Sequence, residues 1–198
     1  MTRVIGLTGS IAVGKSTVTH YLLTHGYQVV DADKISHDAL NPGNSCYEKV
    51  KELFGCLNED GTMNRQALGD IVFKDHQKKE ALENIIHPYV IKMIKKAIQE
   101  CQDDLIFLDI PLLFEVHLEY LCDKILVVYV DEELQLKRLM RRNKIDEEKA
   151  KHLIRQQISI EDKKMMGDYV IDNRQNFEDL YQNIERVLKV LKDETIYE

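Results

Sequence analysis

Gly9-Ser10-Ile11-Ala12-Val13-Gly14-Lys15-Ser16 fits the pattern G-x-x-x-x-G-K-[ST] at every fixed position. The run before it, Val4-Ile5-Gly6-Leu7-Thr8, is short and apolar and reads as a buried strand. The run after it, Ser16 to His25, places Val18, Tyr21, Leu22 and His25 at helical spacing. Strand, glycine loop and helix form the setting in which such a loop binds phosphate. Gly9 and Gly14 can take backbone angles closed to other residues. Inward-pointing N–H groups at the positive end of a helix dipole then make an anion site. Lys15 places a point charge on the outer phosphates, and Ser16 offers a hydroxyl to magnesium. Gly9 to Thr17, with Ser10, Ile11, Ala12 and Val13 supplying loop backbone, is therefore the candidate ATP-binding stretch.

The remainder of the chain sets bounds. Its 198 residues suffice for one α/β domain with small inserts, and 44% hydrophobic with 31% charged residues is ordinary for a soluble protein. No apolar run approaches the ~18 residues needed to span a membrane. The N-terminus enters a strand at once, without the pattern of an export signal. Cys46, Cys56, Cys101 and Cys122 form no C-x-x-C pair and read as reduced thiols of a cytoplasmic protein. A net charge of −7 argues against a nucleic-acid partner, and the want of a long apolar run against a membrane one. The one dense basic cluster is Lys137, Arg138, Arg141, Arg142 and Lys144, the candidate place where the field reverses for an anionic ligand.

In chain order, Val29-Val30 is a short strand core with Asp31-Ala32-Asp33 at its carboxyl end. Ligand groups gather beyond the carboxyl ends of strands in open α/β sheets, so Asp33 is placed to face the γ-phosphate. Residues 46 to 102 read as helices over Tyr47–Phe54, Arg65–Phe73, Gln77–Ile86 and Pro88–Glu100, with Pro88 at a first helical position. Leu105 to Asp109 is a third strand, apolar throughout, and Asp109 ends it where a magnesium-holding acid belongs. Pro111-Leu112-Leu113-Phe114-Glu115 follows as core or pocket wall. Ile125 to Val130 is a fourth strand, Glu132 to Arg142 a helix with an arginine-rich end, and Glu147 to Ser159 another helix. Tyr169 to Asn173 is a fifth strand, and Phe177, Leu180, Ile184, Val187, Leu188 and Leu191 mark a last helix by 3- and 4-residue steps.

This alternation predicts a three-layer α/β/α fold around a five-stranded parallel sheet. The expected divisions of the single domain are a core of about 1–40, 103–131 and 168–198, a helical acceptor-binding insert of about 41–102, and a lid of about 132–160. Asn143-Lys144-Ile145-Asp146 also spells N-K-x-D, the guanine-reading motif of a GTP switch. It lies 13 residues past Val130 at the end of a helix rather than capping a strand, and no aspartate precedes a glycine by three residues. A phosphate loop, a facing acid, a helical insert and an arginine lid instead make a small-molecule kinase.

The chain resembles the dephospho-coenzyme A kinase family. The resemblance is carried by Ile5 through Val18, Val30-Asp31-Ala32-Asp33, Asp60-Gly61 with Asn64-Arg65 and Leu68, and Ile86-His87-Pro88. It continues through Pro111 to Glu115, Gln135 with Arg138 and Arg142, Gln157, and Val170-Ile171-Asp172-Asn173. Ser10 and Ala12 stand where the family often has glycine. The resemblance implies transfer of the ATP γ-phosphate to the ribose 3′-hydroxyl of dephospho-coenzyme A, with magnesium; the alternatives are a kinase of the same build acting on a nucleoside or nucleotide, and an ATP-binding regulator. It implies that Asp33 is the base, that Arg138 and Arg142 join Lys15 on ATP with Arg142 on the transferring phosphate, and that Asn173 lies near the adenine. His87, Leu112, Leu113 and Glu115 would line the acceptor site, and Ser16 and Asp109 would hold the metal.

Overall fold

The computed structural model describes residues 2–196; the outermost ends of the expected core segments, residue 1 and residues 197–198, lie outside them. The strands are β1 (Arg3–Gly9), β2 (Gln28–Asp31), β3 (Leu105–Asp109), β4 (Lys124–Tyr129) and β5 (Tyr169–Asp172). The helices are α1 (Lys15–Thr24), α2 (Ala32–Asp38), α3 (Ser45–Phe54), α4 (Arg65–Lys74), α5 (His76–Glu100), α6 (Glu132–Asn143), α7 (Glu147–Arg155), α8 (Ile160–Met166) and α9 (Phe177–Ile196). The sheet order is β2-β3-β1-β4-β5, and the β1–β3, β1–β4 and β4–β5 pairings are parallel. Every residue of β1 and β3 is buried, whereas the edge strands β2 and β5 have four residues each and are mostly half-buried. Continuous apolar runs thus take the middle of the sheet, where both faces are covered.

The chain forms two compact units, one of residues up to Val30 and from Glu100 onward, the other of Asp31–Gln99. The first holds the sheet with α1 and α6 to α9. Val18, Tyr21 and Leu22 bury the inner face of α1, and Leu180, Ile184, Leu188 and Leu191 that of α9. Phe177, expected in that stripe, is 68% exposed because it opens the helix ahead of its first buried turn. Gly6 lies over Cys122: an added Cβ would meet the thiol sulfur at 2.7 Å. Burial, aided by the charges of Asp123 and Glu119, pushes that thiol up to about 12.

The second unit closes around Leu40, Tyr47, Val50, Met63 and Leu68. The expected turn at Asn58 to Gly61 is present, with the Gly61 N–H bonded to the Asn58 carbonyl at 3.0 Å and Gly61 at φ 79°. The two helices expected to meet at Pro88 are instead one helix, α5, running through it. An interior proline costs about 3 kcal/mol. Leu82, Ile85 and Ile86 before it pack on the core cluster, and Val90 and Ile94 beyond it are buried. At roughly 1.5–3 kcal/mol for each fully buried apolar side chain, these flanks outweigh one broken turn.

The helix expected over Glu147–Ser159 also differs. α7 ends at Arg155, the Ile158 N–H donates to Glu115 Oε1 at 3.0 Å, and the Ser159 hydroxyl accepts from the Asp162 N–H to start α8. A long-range acceptor and a cap therefore replace continued helix.

Candidate active site

β1 runs straight into the loop, and α1 leaves it. Gly14 caps α1 at φ 89°, in the left-handed region that favours glycine. An added Cβ at Gly9 would meet Val13 Cγ2 at 2.8 Å, and one at Gly14 would meet Asn173 Nδ2 at 2.3 Å. Gly14 is thus required by backbone angle and close packing, whereas Gly9, expected to need such an angle too, has no positive φ and is required by packing alone. Ala12 is also left-handed, at φ 63°.

Lys15 forms an ion pair with Asp109 at the carboxyl end of β3, and the Thr19 hydroxyl donates to the same carboxylate at 2.6 Å. β1 and β3 are neighbours in register, with Leu7 opposite Asp109. That pairing delivers the acid to the lysine of the loop. Ser16 is exposed in the first turn of α1, where the leading N–H groups have no intrahelical acceptor. Thr17 N–H bonds back to the Gly14 carbonyl at 3.0 Å.

Two glutamines grip the loop. Gln157 Oε1 accepts from the Ser10 hydroxyl and the Ile11 N–H, both at 2.9 Å. Gln135 Nε2 donates to Ser10 Oγ and to the Ile11 carbonyl, both at 2.9 Å, and Gln135 is wholly buried. The Ile11 amide, expected to face phosphate, is thereby engaged by Gln157. Asn173 Nδ2 donates to the Val13 carbonyl at 2.8 Å, and Arg138 holds the Asn173 carbonyl at 3.0 Å. Burial and the neighbouring Arg141 hold the Arg138 guanidinium below its ordinary pKa. Asn173, expected near adenine, here buttresses the loop from behind.

Arg142 is exposed in the last turn of α6, its Nε donating to Asn143 Oδ1 at 3.0 Å. The N-K-x-D residues form a helix junction: Lys144 caps α6 in the left-handed region at φ 53°, and Asp146 caps α7 by accepting from the Lys149 N–H. Leu113 is fully buried against Gly6, so it belongs to the core and not to an open wall, whereas Leu112 is 39% exposed. Glu115 is an ion partner of buried Lys163 at 2.8 Å. In the second unit, Asp33 is exposed in the first turn of α2, while Asp31 caps that helix by accepting from the Lys34 N–H. His87 is exposed within α5.

Sequence reading assigned no task to Gln135, Gln157, Thr19 or Lys163. The glutamine bonds to the loop span up to 147 residues, so no local spacing could reveal them. For a metal, Ser16 and Asp109 supply oxygen donors only, which suits a hard cation such as magnesium that keeps waters and substrate phosphates as ligands. Among the described residues no cluster of three or more His, Cys, Asp or Glu forms a metal site of its own.

A parallel sheet with a phosphate loop after β1, and a lysine of that loop set against an acid at the end of β3, defines a P-loop nucleoside-triphosphate-binding fold. The family model described as CoaE: Dephospho-CoA kinase matches residues 3–179. The dephospho-CoA kinase of Oceanobacillus iheyensis is 44% identical over 96% of this chain and 98% of its own. The crystal structure of TT1252 from Thermus thermophilus superposes with a TM-score of 0.83 at 33% identity, covering 96% of this chain and 98% of that one. The dephospho-CoA kinase from Campylobacter jejuni does so with a TM-score of 0.76 at 34% identity, covering 98% and 100%. The chain belongs to the dephospho-CoA kinase family.

Proposed function

We infer that the protein transfers the γ-phosphoryl group of ATP to the ribose 3′-hydroxyl of dephospho-coenzyme A, giving coenzyme A and ADP, the last step of coenzyme A synthesis. The observation that carries this reading is the phosphate loop with Lys15 set against Asp109, in a chain matched by the family over residues 3–179.

Phosphoryl transfer requires positioning and charge neutralisation more than covalent chemistry. In the proposed reaction the loop from Gly9 to Thr17 cradles the phosphates and Lys15 exchanges Asp109 for phosphate oxygens. Arg138 and Arg142 balance the remaining charge from α6. Asp33 orients the acceptor hydroxyl and takes its proton as the new O–P bond forms. The bond from the γ-phosphorus to the bridging oxygen breaks, and ADP leaves. Ser16 and Asp109 would hold a magnesium ion, which when bound neutralises charge on the outer phosphates. His87, Leu112 and Glu115 are assigned to the acceptor by resemblance, with Leu113 supporting them from the core and Asn173 supporting the loop near the nucleotide.

The proposed setting is cytoplasmic, in keeping with four free cysteines. Among the described residues no helix is long and apolar enough to cross a membrane.

The test is ADP release in a coupled assay with dephospho-coenzyme A, with a panel of nucleosides and nucleotides, and with no acceptor. Turnover that requires dephospho-coenzyme A supports the assignment. Faster turnover with a nucleoside, or ATP binding without turnover on any acceptor, overturns it.

A further inference from the structure

Lys163 is fully buried in α8, and the reaction outlined above gives it no task. Its ammonium reaches oxygens on three separate segments: Glu115 Oε1 at 2.8 Å, the Pro111 carbonyl at 3.0 Å and the Gly9 carbonyl at 3.3 Å. Three acceptors around one nitrogen call for three N–H donors, which only the charged form has. Burial works against that charge and is the main influence pulling the lysine below its ordinary pKa, with Lys15 adding to it. The Glu115 carboxylate opposes both. A buried ion of this kind persists only where its hydrogen bonds are complete.

The same bonds converge on the phosphate loop. Glu115 Oε1 also accepts from the Ile158 N–H at 3.0 Å. The residue before it, Gln157, holds the Ser10 hydroxyl and the Ile11 amide. The Thr8 hydroxyl donates to the Pro111 carbonyl that Lys163 also engages, at 3.1 Å. Residues 157 to 163 therefore grip the chain at Gly9, Ser10 and Ile11, where β1 ends and the loop begins.

We propose that Lys163 is a positioning residue of the phosphate loop, holding the Gly9 carbonyl so that the loop is already curved for a triphosphate before one arrives. It acts through Gly9, and through Glu115 and Ile158 on Gln157, without touching the nucleotide. The proposal rests on the reading of Gly9 to Ser16 as the triphosphate site.

The test is Mg-ATP affinity measured by calorimetry without acceptor, alongside thermal midpoints, for the wild type, Glu115→Gln, and Lys163→Met combined with Glu115→Gln. The paired variant avoids stranding a buried carboxylate, and the glutamine still offers the Ile158 N–H an acceptor. Loss of a pre-curved loop is expected to weaken Mg-ATP about tenfold or more in the paired variant, at a midpoint close to that of Glu115→Gln. Glu115→Gln alone, which leaves Lys163 both carbonyls, is expected to stay within about threefold of wild type. Equal affinities in all three proteins overturn the proposal, as does a loss in Glu115→Gln as large as in the pair. A wild type that fails to bind Mg-ATP counts instead against the loop as the triphosphate site. If the paired variant does not fold, wild-type hydrogen exchange decides. Mg-ATP should slow exchange across residues 157–163 together with residues 10–14, and protection confined to the loop overturns the proposal.

Discussion

Replacing Gly14 by alanine adds one methyl group where the phosphate loop meets α1. At φ 89° and ψ 23° the backbone is left-handed, which costs roughly 1–2 kcal/mol for a residue with a Cβ. The new carbon would also stand 2.3 Å from Asn173 Nδ2, the donor to the Val13 carbonyl. Displacing that amide leaves buried polar groups short of partners, worth about 1–3 kcal/mol. Together these give a loss of about 2–5 kcal/mol against a total stability of about 5–15 kcal/mol. Urea denaturation of four proteins separates the two effects: wild type, Gly14→Ala, Asn173→Ala and the double variant. With Asn173 already removed the overlap is gone, so the methyl should cost only the backbone's roughly 1–2 kcal/mol. The expected coupling is about 1–3 kcal/mol, provided the denaturant slopes agree. A Gly14→Ala cost that is the same with and without Asn173 would refute the buttress, and a cost under about 0.5 kcal/mol would refute the left-handed strain as well.

Asp33→Asn should cut turnover ~10²-fold or more while Mg-ATP still binds, and near-normal turnover would remove Asp33 from the base role. Arg142→Ala should lower kcat more than it raises KM for ATP; a change in KM alone would make Arg142 a binding residue only. The hydrogen-bonded Arg174 guanidinium holds the Asp172 carboxyl below its usual 3.8. A depressed carboxylate stabilises the fold above its unfolded pKa and loses that contribution as pH falls through the folded one. Arg174→Gln should therefore lower the melting temperature at pH 7, with the gap to wild type closing below pH 3.8. A gap that stays constant into acid would mean the ion pair is not its source.

The phosphate loop was legible because its residues are consecutive and its demands are local: two glycines, a lysine, a hydroxyl, a strand before and a helix after. Asp109 was legible because an apolar strand announces its own end. The continuity of α5 through Pro88 was not, since a proline's local cost is visible in a sequence and the burial of Leu82, Ile86, Val90 and Ile94 is not. Leu113 and Glu115 sit two residues apart in one apolar-acidic stretch. Only the fold distinguishes a side chain lying against Gly6 from one paired with Lys163. Asn173 was placed near the adenine by resemblance alone, and its contact with Val13 spans 160 residues and could not be inferred from spacing.

The grip of Gln135 and Gln157 on Ser10 and Ile11 uses neutral amides. Dissolved ions would screen the proposed pull of Lys15, Arg138 and Arg142 on a polyanion, with a Debye length near 8 Å at physiological ionic strength. They have little hold on amide bonds within the protein. On the proposed function, raising the salt concentration should therefore weaken the attraction for the nucleotide while leaving these amide bonds intact. In that proposal the charges that draw the nucleotide are distinct from the amide bonds at Ser10 and Ile11.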